Sequence, residues 1–126
     1  MNNIRLLIAI ACVFCIVITG YASTLDSVER KAGKPASIKV IMKRAHKDKL
    51  LDKVLGGKAS VQEKQQLALL YVDLAKNKPK KGSANSWKAL TTPLAQSAIA
   101  VAKGNKSAMS ALKRSSNCKA CHSKHK

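Results

Sequence analysis

Acidic residues are scarce in this chain: 6 stand against 24 lysines and arginines in 126 residues, a formal charge of +18. None occurs beyond Asp73. Acid–base chemistry by paired carboxylates therefore has little to draw on. No glycine-rich phosphate loop and no activated serine is visible either, so the chain is not read as an enzyme. Aromatic residues make up 3%, namely Phe14, Tyr21, Tyr71 and Trp87. That is a thin supply for a core, and it offers no stacking platform for bases, which argues against nucleic acid as the partner of the positive charge. Three prolines, six glycines and the lack of period-two alternation exclude a strand-rich fold. The remainder, rich in Ala, Lys, Leu and Ser, reads as all-α.

Long apolar runs are also missing. The best, Leu6 to Ile18, is shorter than the about 20 residues that a membrane span needs. With Arg5 before it and Gly20-Tyr21-Ala22 after it, this segment has the layout of a secretory signal peptide over residues 1–22. An uncleaved anchor, or a lipid on Cys12, is the minor alternative. Cys12 and Cys15 lie within the leader and read as apolar filler. Residues 23–126 then form one small exported domain, whose thiols are Cys118 and Cys121. Losing Arg5 takes 24 basic residues to 23 against the same 6 acidic ones, a formal +17.

The apolar spacing predicts four helical segments. Beyond Pro35, the residues Ile38, Ile41, Met42 and Ala45 share one face, whereas Leu51, Val54 and Leu55 point nearly the other way. A kink or break between about His46 and Leu50 reconciles them, and Gly56-Gly57 ends the segment. Ser60-Val61-Gln62-Glu63 is a capping box that opens a second helix, with Leu67, Leu70, Tyr71 and Leu74 inside. Asn77 and Pro79 stop it. A basic connection leads to a short turn over Ser86 to Leu90, and Thr92-Pro93 is expected to start a third helix that ends at Gly104-Asn105. The last helix begins near Ser107. Short connections favour an antiparallel four-helix bundle.

The last of these helices is expected to carry Cys118-Lys119-Ala120-Cys121-His122, a C-x-x-C-H haem-attachment motif. Two thiols three positions apart on a helical turn can both add across the vinyl groups of one porphyrin. The next residue, a histidine, is then carried under the iron as an axial ligand. A covalent haem c would also fill the volume that the missing aromatics leave. Two other readings stand beside it. Cys118, Cys121, His122 and His125 can be taken as a zinc set, although four ligands within eight residues suit a tetrahedral site poorly. A disulfide between Cys118 and Cys121 would leave His122 unexplained. His125 itself reads as tail.

With a C-x-x-C-H on the last helix, the chain resembles the class II c-type cytochromes, of which cytochrome c prime is the best-known member. The Met42-Lys43 pair is similar to a Met-Lys on that family's first helix. Ile38 stands where the family usually has an arginine, and the lysine load is unusually heavy. The resemblance implies an exported, periplasmic four-helix bundle with thioether anchors at Cys118 and Cys121 and His122 as proximal ligand. Met42 is the leading candidate for the distal ligand, and a methionine there would raise the potential and suit an electron carrier. Met42 can equally be core filler. His46, one turn later, is a less favoured ligand that reads first as a solvated histidine, and an open or apolar-capped distal site is the alternative to both.

The resulting expectation is a periplasmic monohaem electron carrier. The alternative is a five-coordinate protein that binds nitric oxide or carbon monoxide. The basic surface fits an acidic redox partner protein, or peripheral contact with an anionic membrane by the same physics. Proteins of the resembled family are often homodimers, though no exposed apolar stripe here demands one.

Overall fold

The computed structural model describes residues 33–126. The leader reading over residues 1–22, with Cys12 and Cys15, lies outside the described residues. Among those described, every regular element is helical and no strand occurs. No helix among them is long and apolar enough to cross a membrane.

Helix α1 spans Ile38–Met42, with the Ser37 hydroxyl accepting from the Val40 amide at 3.4 Å. It runs directly into a π-helical turn, Lys43–Lys47, in which the Asp48 amide reaches back to the Lys43 carbonyl at 2.8 Å. Lys49 then adopts the left-handed conformation (φ 58°), and α2 spans Leu50–Leu55 after it. This resolves the two apolar faces seen in the sequence. Ile41 and Ala45 are buried before the break, and Leu51 and Val54 after it. A non-glycine residue in the left-handed region costs about 1–3 kcal/mol, which the packing on either side must offset. Gly57 (φ +70°) ends α2 in a Schellman motif: its amide bonds the Val54 carbonyl and that of Lys58 bonds Lys53.

Helix α3, Val61–Lys76, starts in the expected capping box, with both arms formed between Ser60 and Glu63. Leu67, Leu70, Tyr71 and Leu74 are buried as the spacing requires. Its end is tied to the segment before α1. The Asn77 side-chain amide donates to the carbonyls of Ala36 (2.9 Å) and Asp73 (2.7 Å), while the Asp73 carboxylate accepts from the Ala36 amide at 3.1 Å.

Helix α4, Ala84–Ala102, begins well before the expected start at Thr92-Pro93. Ser83 is the real cap, accepting from the Ser86 amide at 3.1 Å, and Pro93 lies inside the helix. The expected turn at Ser86 to Leu90 is therefore helix. Continuing the helix through Pro93 keeps Trp87, Thr91, Leu94, Ala98 and Val101 on one buried face. That burial outweighs the about 3 kcal/mol that an interior proline costs.

The last segment is two helices rather than one. Helix α5 covers Ala108–Ser115, and α6 covers Cys118–His125. The chain leaves helical geometry at Asn117, whose side chain caps α6 by accepting from the Ala120 amide at 3.1 Å. Helices α1 and α2 pack on α3, α3 on α4, α4 on α5, and α6 against α4. The shared core runs from Ile41 and Tyr71 through Trp87 and Leu94 to Leu112. Large apolar side chains exposed among the described residues are Val40 and Val61.

Candidate cofactor site

A cavity of about 960 Å³ opens beside α6. Cofactor sites run to about 300–1,000 Å³, so this one is at the roomy end. Leu74, Trp87 and Leu94, all buried, form its inner side. Ile38, Met42 and His46 supply one wall from α1 and the π turn. Cys118, Cys121 and His122 supply another from α6. Positions 118, 121, 122 and 125 recur at three and four residues, the spacing that puts them on one face of a helix. All four line the cavity. Every residue singled out in the sequence for haem binding therefore borders a single space.

The chemistry of those groups is consistent within that space. Both thiols are free, with Cys118 exposed and Cys121 half-buried. Burial pushes the Cys121 thiol up, and the neighbouring Cys118 adds to the effect. Burial pulls His46 down, and His122 lowers it further while Asp52 opposes. A depressed histidine is neutral over more of the pH range, and neutral imidazole is the form that binds metals. His46 and His122 both line the cavity, from the π turn and from α6. Met42 is half-buried and packs against the core, so its contacts serve both the packing and the ligand readings.

The zinc reading finds no support. Among the described residues, no three His, Cys, Asp or Glu side chains gather into a set that could hold a metal ion. His125 is also not tail, as the sequence suggested. It is buried, and its Nδ1 lies 2.9 Å from the Lys81 carbonyl. Its Nε2 lies 3.0 Å from the Ser86 hydroxyl, and its ring meets Trp87 edge-on with centroids 5.2 Å apart. The helical-face spacing of 118, 121, 122 and 125 was the available signal for its inward direction. Basic side chains sit around the same cavity: Lys39, Lys47, Lys80, Lys81, Arg114 and Lys126.

Compared with family models, curated proteins and solved structures, the chain matches none.

Proposed function

We propose that the chain is an exported, monohaem c-type cytochrome that carries electrons, built as a four-helix bundle like the class II cytochromes it resembles. The observation that carries this reading is the shared cavity: Cys118, Cys121 and His122 border it from one helix, and Met42 and His46 from another segment. Taking α1 with α2 as one broken arm and α5 with α6 as another, the succession of packed helices suits that bundle.

The residues present fit a haem. Cys118 and Cys121 would hold it through thioethers, and His122 would supply the proximal nitrogen. Met42 or His46 would face the other side. The apolar inner surface of Leu74, Trp87 and Leu94 suits a porphyrin, and the basic rim suits its propionates. When bound, the group supplies a one-electron couple. The protein's part is to hold it, exclude water from one side and set its axial ligands. The same rim would draw an acidic redox partner, and an anionic membrane surface by the same attraction.

A second reading keeps one observation of its own. Met42 packs against the core cluster, and a methionine engaged in packing would leave the distal position open. The protein would then bind nitric oxide or carbon monoxide.

Absorption spectra decide between them, taken oxidised and reduced, with and without carbon monoxide, on protein matured by a cytochrome c assembly system. A low-spin spectrum indifferent to the gas is expected. It should turn high-spin in Met42→Ala or in His46→Ala, according to which residue binds. A high-spin spectrum that shifts with carbon monoxide would favour gas binding, and protein free of covalent haem would overturn both.

A further inference from the structure

Helix α6 holds the whole attachment motif, yet only one of its residues is buried, His125. Cys118, Lys119, His122, Ser123 and Lys124 are exposed, and Ala120 and Cys121 are half-buried. Burial of side chains is what fixes a helix against its neighbours, and a helix of this length has little stability by itself. The roll of α6, and with it the direction of His122, depends on what holds His125.

The surroundings of that imidazole are built to receive it. A carbonyl can only accept, so Nδ1 at 2.9 Å from the Lys81 oxygen carries the hydrogen. Nε2 pairs with the Ser86 hydroxyl at 3.0 Å. The ring stands nearly perpendicular to Trp87, at 83°. Trp87 is itself fixed, its indole N–H donating to the Leu74 carbonyl at 3.2 Å. Gly82 (φ +80°) leaves the space: a Cβ there would stand 2.4 Å from His125 Nδ1 and 2.8 Å from the Lys124 carbonyl. The connection between α3 and α4, together with the first turn of α4, thus forms a socket, with a hydrogen-bond acceptor, a hydroxyl, an aromatic face and a missing side chain.

We propose that His125 is a positioning residue, a latch that seats α6 in this socket and thereby sets the orientation of the His122 imidazole toward the cavity. The proposal rests on the haem reading of His122. His125 is not a ligand, because both its nitrogens are engaged elsewhere. It lies three residues beyond His122, less than one helical turn, so a shift at the socket passes to the ligand with little loss.

The test uses the full chain in two forms. In the metal-free protein, amide hydrogen exchange is measured in wild type, His125→Ala, His125→Phe and His125→Gln. Removing the latch should speed exchange across α6 by about tenfold or more, while the α3 and α4 amides keep their protection and show that the variant is folded. In the haem-loaded protein, the electron paramagnetic resonance signal and the reduction potential are read. Both should shift in the Ala and Phe variants. They should return toward wild type in His125→Gln, whose amide can donate to the Lys81 carbonyl and accept from Ser86.

Unchanged α6 exchange in His125→Ala would overturn the latch. Faster exchange with an unmoved signal and potential would overturn the positioning of His122. Wild-type protein lacking covalent haem overturns the functional reading itself, and is distinguished because the exchange contrast is read without haem.

Discussion

The imidazole of His46 leans on the phenol of Tyr71, with ring centroids 6.0 Å apart and planes tilted by 40°. The phenol below it is fully buried, and its hydroxyl finds no hydrogen-bond partner among the described residues. Burial, with smaller effects from Cys118 and Asp52, pushes the Tyr71 hydroxyl well above its ordinary range. A buried, unpaired hydroxyl costs about 1–3 kcal/mol. Tyr71→Phe is therefore expected to stabilise the metal-free chain by about that amount, measured by denaturant unfolding. A loss of stability would mean that the hydroxyl is satisfied in solution.

On the proposed haem reading, the motif's residues have separable roles. Replacing Cys118 and Cys121 together by Ala should abolish covalent haem, seen as loss of the added mass after denaturation. Replacing His122 by Ala should leave the covalent mass intact and change the ferric spectrum, because the anchors survive and the axial ligand does not. Covalent haem in the double cysteine variant would exclude the assignment.

Glu63 gives a pH dependence of known sign. Its carboxyl is held below the ordinary carboxylate range, first by the hydrogen bond from Lys53 and then by the Ser60 amide of the capping box. The folded chain therefore binds fewer protons here than the unfolded chain. This contribution is present above the ordinary value of 4.5 and is lost as pH falls through the lower folded value. Urea unfolding midpoints compared between about pH 7 and about pH 3 should drop less on acidification in Glu63→Gln than in wild type.

Salt should act on encounter rather than on the site. If the rim of Lys39, Lys47, Lys80, Lys81 and Arg114 steers an acidic partner, the second-order rate of electron exchange will fall steeply with ionic strength. Lys80→Glu with Lys81→Glu should lower that rate by about tenfold at low salt and flatten its salt dependence. A rate indifferent to both would remove the docking role from this face.

Local signals carried the sequence reading furthest. Ser60 and Glu63 declared a helix start, and Gly57 and Gly104 declared helix ends, because each acts within a few residues of itself. The rotated stripes of Ile41 and Leu51 announced a break, but not that a π turn and a left-handed Lys49 would make it. Pro93 misled because proline is common in a first helical turn. The contrary signal was the alternation of four and three from Trp87 through Thr91, Leu94 and Ala98 to Val101, and tertiary burial decided in its favour. Asn117 was passed over as a cap inside an otherwise helical pattern. The site's membership was legible from the C-x-x-C-H and the methionine. The socket for His125 was not, because its acceptor, the Lys81 carbonyl, lies 44 residues earlier in the chain.

The π turn at Lys43–Lys47 makes the cavity wall sensitive to chain length as well as to side-chain identity. Each residue of an α-helix turns the chain by about 100°. Deleting one residue between 43 and 47 would let the segment close into α-helix, turning α1 by roughly that angle relative to α2. Ile41 and Met42 would then exchange core and cavity for other neighbours. Insertions and deletions in these five positions are thus a coarser control on the candidate distal ligands than any substitution among them.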